Sequence, residues 1–304
     1  MIDRYLAAKD WIMSTSVIGA GRVGLALAEA LRDAGHRIAA VSTVSHPNRA
    51  KTRLPETAIM PPDRAAAAAD TVILAVPDDA LAGLVRGLAA AGAFRPGQLV
   101  VHTSGAHGLA PLRPAAAHGA LTAAVHPAMT FTGADDDAQR LQQGEITFGI
   151  TADPRARKRA ARLVADLGGI PEWIAEADRT LYHAALAHGA NHLVTLVNEA
   201  RDRLRDAGVT QPDRVLRPLL EAALENALNL GDAALTGPVS RGDAGTVGKH
   251  LDRLPAESLP AYLALARRTA DRAIAAGRLR TQDAAPLMDV LARAAELATL
   301  GSAR

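Results

Sequence analysis

The residues with the most chemical content fall into three groups. The first is Thr15-Ser16-Val17-Ile18-Gly19-Ala20-Gly21-Arg22-Val23-Gly24, an apolar run entering a G-x-G-x-x-G turn and then a helical pattern from Leu25 to Ala34. Glycine at the first position permits a tight turn off a strand. At the second it lets backbone approach a pyrophosphate, and at the third it lets the helix sit close to the sheet, N–H groups toward the phosphates. Gly19, Ala20, Gly21, Arg22, Val23 and Gly24 are therefore expected to bind a dinucleotide. A second strand over 37–41 ends in Val41-Ser42-Thr43-Val44-Ser45, where an NAD site usually carries Asp or Glu. No carboxylate stands there, and Arg49, Lys51 and Arg53 follow. Hydroxyls and a guanidinium suit a 2′-phosphate that a carboxylate would repel. The expected cofactor is NADP, with Ser42 and Arg49 at the 2′-phosphate; Lys51 and Arg53 read as residues of a solvated loop.

The second group lies where further strands should end. Ala75-Val76-Pro77-Asp78-Asp79, His102-Thr103-Ser104-Gly105 and His126-Pro127-Ala128-Met129-Thr130 each place polar groups on a loop. Ligands of doubly wound sheets sit at those carboxyl ends. Val76, Pro77 and Thr103 are expected beside the nicotinamide, and Ser104 and His126 beside the substrate; plain turn and cap roles are the alternative.

The third group lies in the helical half. On a helix, Tyr182, Leu186, Leu193, Val197 and Leu204 make one apolar stripe, with His183 and Asn191 on a flanking stripe two turns apart. Hydride reduction of a carbonyl or imine needs a proton donor, and imidazole titrates in the useful range. His183 is the expected catalytic donor and Asn191 the orienting group; the alternative for His183 is a buried hydrogen-bonder. Between helices, Ala234-Leu235-Thr236-Gly237-Pro238-Val239-Ser240-Arg241-Gly242-Asp243 is a Gly/Pro loop with hydroxyls and a guanidinium. Arg241 and Thr236 suit a substrate carboxylate, although Arg241 and Asp243 would equally brace a turn. His188 and His192 stand i, i+4 without an evident third ligand, so no metal is expected.

These residues need a scaffold, and the pattern supplies one. Short apolar strands at 71–76, 98–101, 121–125, 146–150 and 171–174 alternate with helices at 64–69 and 78–91, which reads as an α/β, doubly wound, mostly parallel sheet of Rossmann type. From Ala177 the spacing is helical throughout: 177–207, 212–230, 246–254, 258–276 and 281–300, with Gly208, Gly231 and Gly277 as stops. The expected domains are a tail over 1–13, a dinucleotide-binding domain over 14–176 and an all-α domain over 177–304. The basic run 155–162 reads as the solvated face of a helix whose Leu163, Val164 and Leu167 meet the sheet.

Composition narrows the classes. The chain has 304 residues, 49% hydrophobic and 22% charged, with net charge +2 and 3% aromatics. So small an excess, with so few aromatics, gives no case for nucleic acid. Zero cysteines exclude disulfides and thiolate chemistry. Charges throughout the first twelve residues argue against a signal peptide, and no run is a convincing membrane span, so a cytoplasmic protein is expected.

Taken together, the glycine turn, Ala75–Asp79, His102–Gly105, His126-Pro127, Tyr182-His183, Asn191, Ala234–Pro238 and Arg241–Asp243 resemble the Rossmann-like oxidoreductases whose C-terminal part is known only as a domain of unknown function. The resemblance spans Ser14 to about Ala275. More distantly the chain is similar to pyrroline-5-carboxylate reductases, whose Thr/Gly/Pro loop binds the substrate carboxylate, and to ketopantoate reductases. Ketopantoate reductases use a Lys and an Asn on the first helix of the second domain. Here His183 stands near the Lys position and Asn191 near the Asn. The resemblance implies a C-terminal domain like that of 6-phosphogluconate dehydrogenase, homodimerisation through it, and a small-molecule substrate. The expected function is NADP-dependent reduction of a small carboxylate-bearing ketone or imine. The alternatives are a ketopantoate-type 2-oxoacid reductase and a non-catalytic NADP-binding sensor.

Overall fold

The computed structural model describes residues 13–45, 47–143 and 146–301. The expected N-terminal tail, apart from Met13, lies outside the described residues. The chain divides into two compact units, Met1–Asn191 and His192–Arg304.

The first unit carries one sheet. Its strands are β1 Thr15–Ile18, β2 Ile38–Ser42, β3 Ala58–Ile59, β4 Thr71–Leu74, β5 Leu99–His102, β6 Leu121–Pro127, β7 Thr147–Ala152 and β8 Ile170–Trp173, in the order β3-β2-β1-β4-β5-β6-β7-β8. β1 to β6 run parallel, β7 is antiparallel to β6, and β8 is parallel to β7. The order reverses between β1 and β4, and such a switch point opens a crevice at the carboxyl ends of the strands.

Continuous apolar strands form because both faces are covered. Val17, Ile73, Leu99, Val101 and Val125 pack with Leu25 and Leu31 of helix Arg22–Asp33 and with Leu163 and Val164 of helix Arg157–Asp166. Their neighbours Ile18, Val72, Leu74 and Val100 point the other way, onto Leu81, Val85 and Leu88 of helix Asp78–Ala90. This alternation is the period-2 geometry of strands buried on both sides.

Several expected elements shift. The Pro-containing stretch after β2 holds a helix, Pro47–Arg53, and the short β3. The helix expected over 64–69 is Pro62–Ala67, with proline in its first turn, where the missing N–H costs nothing. β4 ends at Leu74, two residues earlier than expected. The basic run is only partly solvated, because Arg159 donates to the carbonyls of Gly97 at 2.5 Å and Asp70 at 3.1 Å. The long helix expected over 177–207 is instead helix Arg179–Leu186, a π turn Ala187–Asn191 and helix His192–Asp206. The i→i+5 turn breaks the 3.6-residue period, so the stripes that paired His183 with Asn191 do not continue across it.

The second unit is helical. Val247, Leu263, Ala266, Ala270, Leu287 and Leu291 form its core, from helices Ala244–Arg253, Leu259–Ala275 and Thr281–Gly301. Gly208, Gly231 and Gly277 all take positive φ at or just after helix ends. No helix among the described residues is long and apolar enough to cross a membrane.

The three turn glycines separate stability from function. A Cβ on Gly24 would collide with the Gly19 carbonyl oxygen and lie 3.1 Å from Val17 Cγ1, whereas one on Gly21 would meet nothing within 4 Å. Gly24→Ala should therefore cost about 2 kcal/mol in urea unfolding, and Gly21→Ala less than about 1 kcal/mol.

Candidate functional site

Gly19 leaves β1 at φ +92, with its N–H and that of Ala20 donating to the Ser42 carbonyl at 2.9 and 3.0 Å. A Cβ there would strike the Ala75 carbonyl and lie 2.9 Å from Val76 Cγ1, so the turn presses on the loop after β4. Helix Arg22–Asp33 starts at Gly21 with no side chain capping it and no acid in its first turn. Its free N–H groups face an anion-binding position. Ser42 is buried at the end of β2. Arg49 donates to the Gly133 carbonyl, and a Cβ on Gly133 would lie 3.2 Å from Cγ of Arg22. Arg53 instead forms a buried bidentate pair with Glu29, a brace for the helix, and Lys51 is exposed.

Val76 is half-buried, and exposed Pro77 precedes helix Asp78–Ala90, its fixed φ suited to that start. After β5 the chain folds around His102, which is fully buried. The Ser104 N–H donates to His102 Nδ1 at 3.2 Å, and His102 Nε2 lies 2.7 Å from the Gly108 carbonyl. Nδ1 is thus the acceptor and Nε2 the donor. Burial holds this imidazole neutral, with its pKa lowered to about 4. His102 clamps the loop bearing Thr103, Ser104 and Gly105.

The carboxyl end of β6 and the first turns of helix Arg179–Leu186 complete a cluster of rings. His126 Nδ1 lies 3.0 Å from the Tyr182 hydroxyl, and the His126 and His183 rings stand edge-on at 6.1 Å. Gly105 lies between the imidazoles: a Cβ there would be 2.5 Å from His183 Cδ2 and 3.0 Å from His126 Nε2. Gly149 of β7, opposite His126 in the ladder, accommodates Tyr182, whose hydroxyl would lie 2.5 Å from a Cβ at that position. Burial, and then the Arg179 cation, lowers the His126 pKa to about 4. Burial raises that of the Tyr182 phenol.

Arg179 underlies the cluster. It is 1% exposed, and its guanidinium donates to the carbonyls of His107 at 3.0 Å, Gly149 at 3.0 Å and Ser104 at 2.6 Å. Its charge lies 5.5 Å from the Tyr182 ring. Neither Arg179 nor the hydroxyl of Tyr182 has a role in the site as read from sequence, where Tyr182 is a member of an apolar stripe and part of the Tyr182-His183 motif. Their i, i+3 spacing, which puts both on one helix face, is the signal that would have found them.

Of the remaining candidates, Asn191 is exposed at the end of the π turn. Thr236 and Arg241 belong to the second unit, and both are exposed. Asp243 caps helix Ala244–Arg253 by accepting from the Thr246 N–H at 2.9 Å and hydroxyl at 2.7 Å, and makes no ion pair with Arg241. His188 and His192 are exposed, and no metal-binding cluster occurs among the described residues.

Family models match both parts of this architecture: a Rossmann-like domain over residues 6–127 and a domain of unknown function, DUF2520, over residues 146–269. The chain joins a Rossmann-like domain to a DUF2520 domain. The Rossmann-like match carries the glycine turn, His102 and His126, and the DUF2520 match carries Gly149, Arg179, Tyr182 and His183. The ring cluster is therefore built from both. No curated protein matches the chain.

Among solved structures, the chain is similar to a protein designated a candidate NADP oxidoreductase, BF3122 from Bacteroides fragilis. That match has 24% identity and TM-score 0.70, covering 85% of this chain and 98% of that one. It is also similar to protein TM1727 from Thermotoga maritima, with 18% identity and TM-score 0.63 over 86% and 98% of the two chains. A third is pyrroline carboxylate reductase from Plasmodium falciparum, solved with NADP bound, with 14% identity and TM-score 0.58 over 90% and 98%.

The neutral His102 sets a pH dependence. Its folded pKa of about 4 lies below the ordinary 6.5, so the unfolded chain binds the proton first. Its contribution is complete above pH 6.5 and is lost as pH falls toward 4, by on the order of 3 kcal/mol. Urea midpoints should fall as the pH falls through that window in the wild type, and fall less steeply in His102→Gln, where His126, also lowered to about 4, keeps its own share of the dependence.

Proposed function

We propose that the chain is an NADP-dependent oxidoreductase that reduces a small carboxylate-bearing ketone or imine. The observation that carries this reading is the glycine turn: Gly19 and Gly24 are jammed against neighbours while the space above Gly21 is open, at an uncapped helix start and a sheet switch point. That combination fits a pyrophosphate. Ser42 and the lack of a carboxylate at the end of β2, with Arg49 held beside Arg22, favour a 2′-phosphate. The names of two of the similar structures, an NADP oxidoreductase and a reductase with NADP bound, point the same way.

A nicotinamide, when bound, supplies the hydride; the protein supplies orientation, a proton and a field. Val76, Pro77 and Thr103, in the loops just past the ends of adjacent strands β4 and β5, are the candidates to meet the nicotinamide. His126 and His183 frame the position of the substrate's heteroatom across Gly105, and Ser104 lies in the same loop. Asn191 remains a candidate for orienting the substrate. In the second unit, Arg241 makes no ion pair with a carboxylate among the described residues, and with Thr236 it suits a substrate carboxylate. The polar cluster favours an enzyme over a sensor, which needs no imidazole pair at that place.

A homodimer is part of the proposal. Helix Pro212–Leu230 exposes Leu224 to 53% and Leu228 to 78%, an i, i+4 apolar pair on one face that water disfavours. Sedimentation velocity should give a dimer for the wild type and a monomer for Leu224→Glu combined with Leu228→Glu.

Fluorescence titration tests the cofactor. NADPH should bind more tightly than NADH, and Arg49→Ala should weaken NADPH about tenfold while sparing NADH. NADPH oxidation across small oxoacids and cyclic imines then names the substrate class. Binding of neither nucleotide would overturn the reading; NADPH binding with no turnover would favour the sensor.

A further inference from the structure

We propose that His126 is the catalytic hydrogen donor of this site and that Tyr182 is the positioning residue that keeps its proton on Nε2. The proposal rests on the reductase reading above and assigns its proton path.

The tautomer follows from the partners. The Tyr182 hydroxyl stands 3.0 Å from His126 Nδ1, seated against Gly149, where a Cβ would lie 2.5 Å from the same oxygen. The phenol is the stronger acid of the pair and the imidazole nitrogen the stronger acceptor, which favours donation of the phenolic proton to Nδ1. A neutral imidazole that accepts at Nδ1 carries its hydrogen on Nε2. Nε2 points to the face of Gly105, where a Cβ would come within 3.0 Å, and no hydrogen bond reaches Nε2 among the described residues. Glycine at 105 leaves that volume to a substrate heteroatom, with the His183 ring as its other wall.

The charges around the ring support a neutral donor. Arg179, His183, Asp78 and His102 face His126 electrostatically, and only Asp78 favours its cation. Arg179 also favours the phenolate of Tyr182. As the substrate carbon accepts hydride from a reduced nicotinamide, the C=O or C=N electron pair moves onto the heteroatom. The heteroatom takes the Nε2 proton, Nδ1 takes the phenolic proton, and the phenolate regains a proton from water. One hydride and one proton are consumed, and an alcohol or amine is released with the oxidised nicotinamide.

Long-range 1H–15N correlation spectra of the full chain, labelled with 15N-histidine, test this. The wild type should show His126 as the Nε2–H tautomer at pH 7, and Tyr182→Phe should shift it to a mixture with Nδ1–H. NADPH affinity by fluorescence should stay within about twofold in Tyr182→Phe. With pyruvate and 1-pyrroline-5-carboxylate as probes, kcat should fall about a hundredfold in His126→Asn and about tenfold in Tyr182→Phe, with KM little changed. A wild-type Nδ1–H tautomer, or the same tautomer in both proteins, would overturn the proposal. Loss of NADPH binding in the wild type would overturn the reductase reading and leave the tautomer result standing. The spectra therefore decide the role of Tyr182 whether or not either probe turns over.

Discussion

The site depends on one buried cation. Arg179 holds three backbone carbonyls that sequence separates widely: Ser104 and His107 in the loop after β5, and Gly149 in β7. Lysine could not do this, because only the planar guanidinium presents donors in several fixed directions. The three hydrogen bonds tie the loop, the antiparallel strand and the helix carrying Tyr182 and His183 into one body. Among the described residues no carboxylate stands at bonding distance from the charge, although Glu176 favours it from further off. Burial disfavours that charge, and the retained carbonyl contacts offset the desolvation.

The surrounding chain is shaped by what it omits. Gly105 and Gly149 are the points where any side chain would occupy the space of His183, His126 or Tyr182. Gly108 plays a related part beside Glu176, whose carboxylate accepts the Leu109 N–H at 2.9 and 2.8 Å. The neutral His102 then fixes the loop from within. Close packing, more than any single polar bond, determines where the imidazoles stand.

Much of the scaffold was legible from sequence because burial on both faces leaves continuous apolar strands, and such runs are easy to see. The Gly19, Gly21 and Gly24 spacing carried its three separate roles for the same reason: each is a local steric demand. Short elements escaped. Helix Pro47–Arg53 and β3 sit in a stretch whose prolines read as loop, although proline also suits a first helical turn. The π turn at Ala187–Asn191 leaves no period to detect, so a regular 3.6-residue spacing aligns Asn191 with His183 on a helix that does not continue. Arg179 was invisible as a site residue because its three partners are backbone carbonyls, which every sequence supplies equally. The ring of Tyr182 suits an apolar stripe while its hydroxyl meets His126, because an amphipathic side chain has both properties and helical spacing reads only the first.

A buried cation next to a phenol and two imidazoles has a direction. It opposes a second positive charge, which keeps His126 neutral, and it favours negative charge wherever that develops. Hydride addition to a carbonyl or imine puts negative charge on the heteroatom, and proton delivery through His126 puts it on the phenol. Both lie within the field of Arg179, and a field fixed before reaction needs no reorganisation when charge appears. A site that only held a nucleotide would gain nothing from an arrangement whose charge acts on the rings and not on the glycine turn. The placement of Arg179 under Tyr182 is therefore what favours the proposed reducing site over one that only holds a nucleotide.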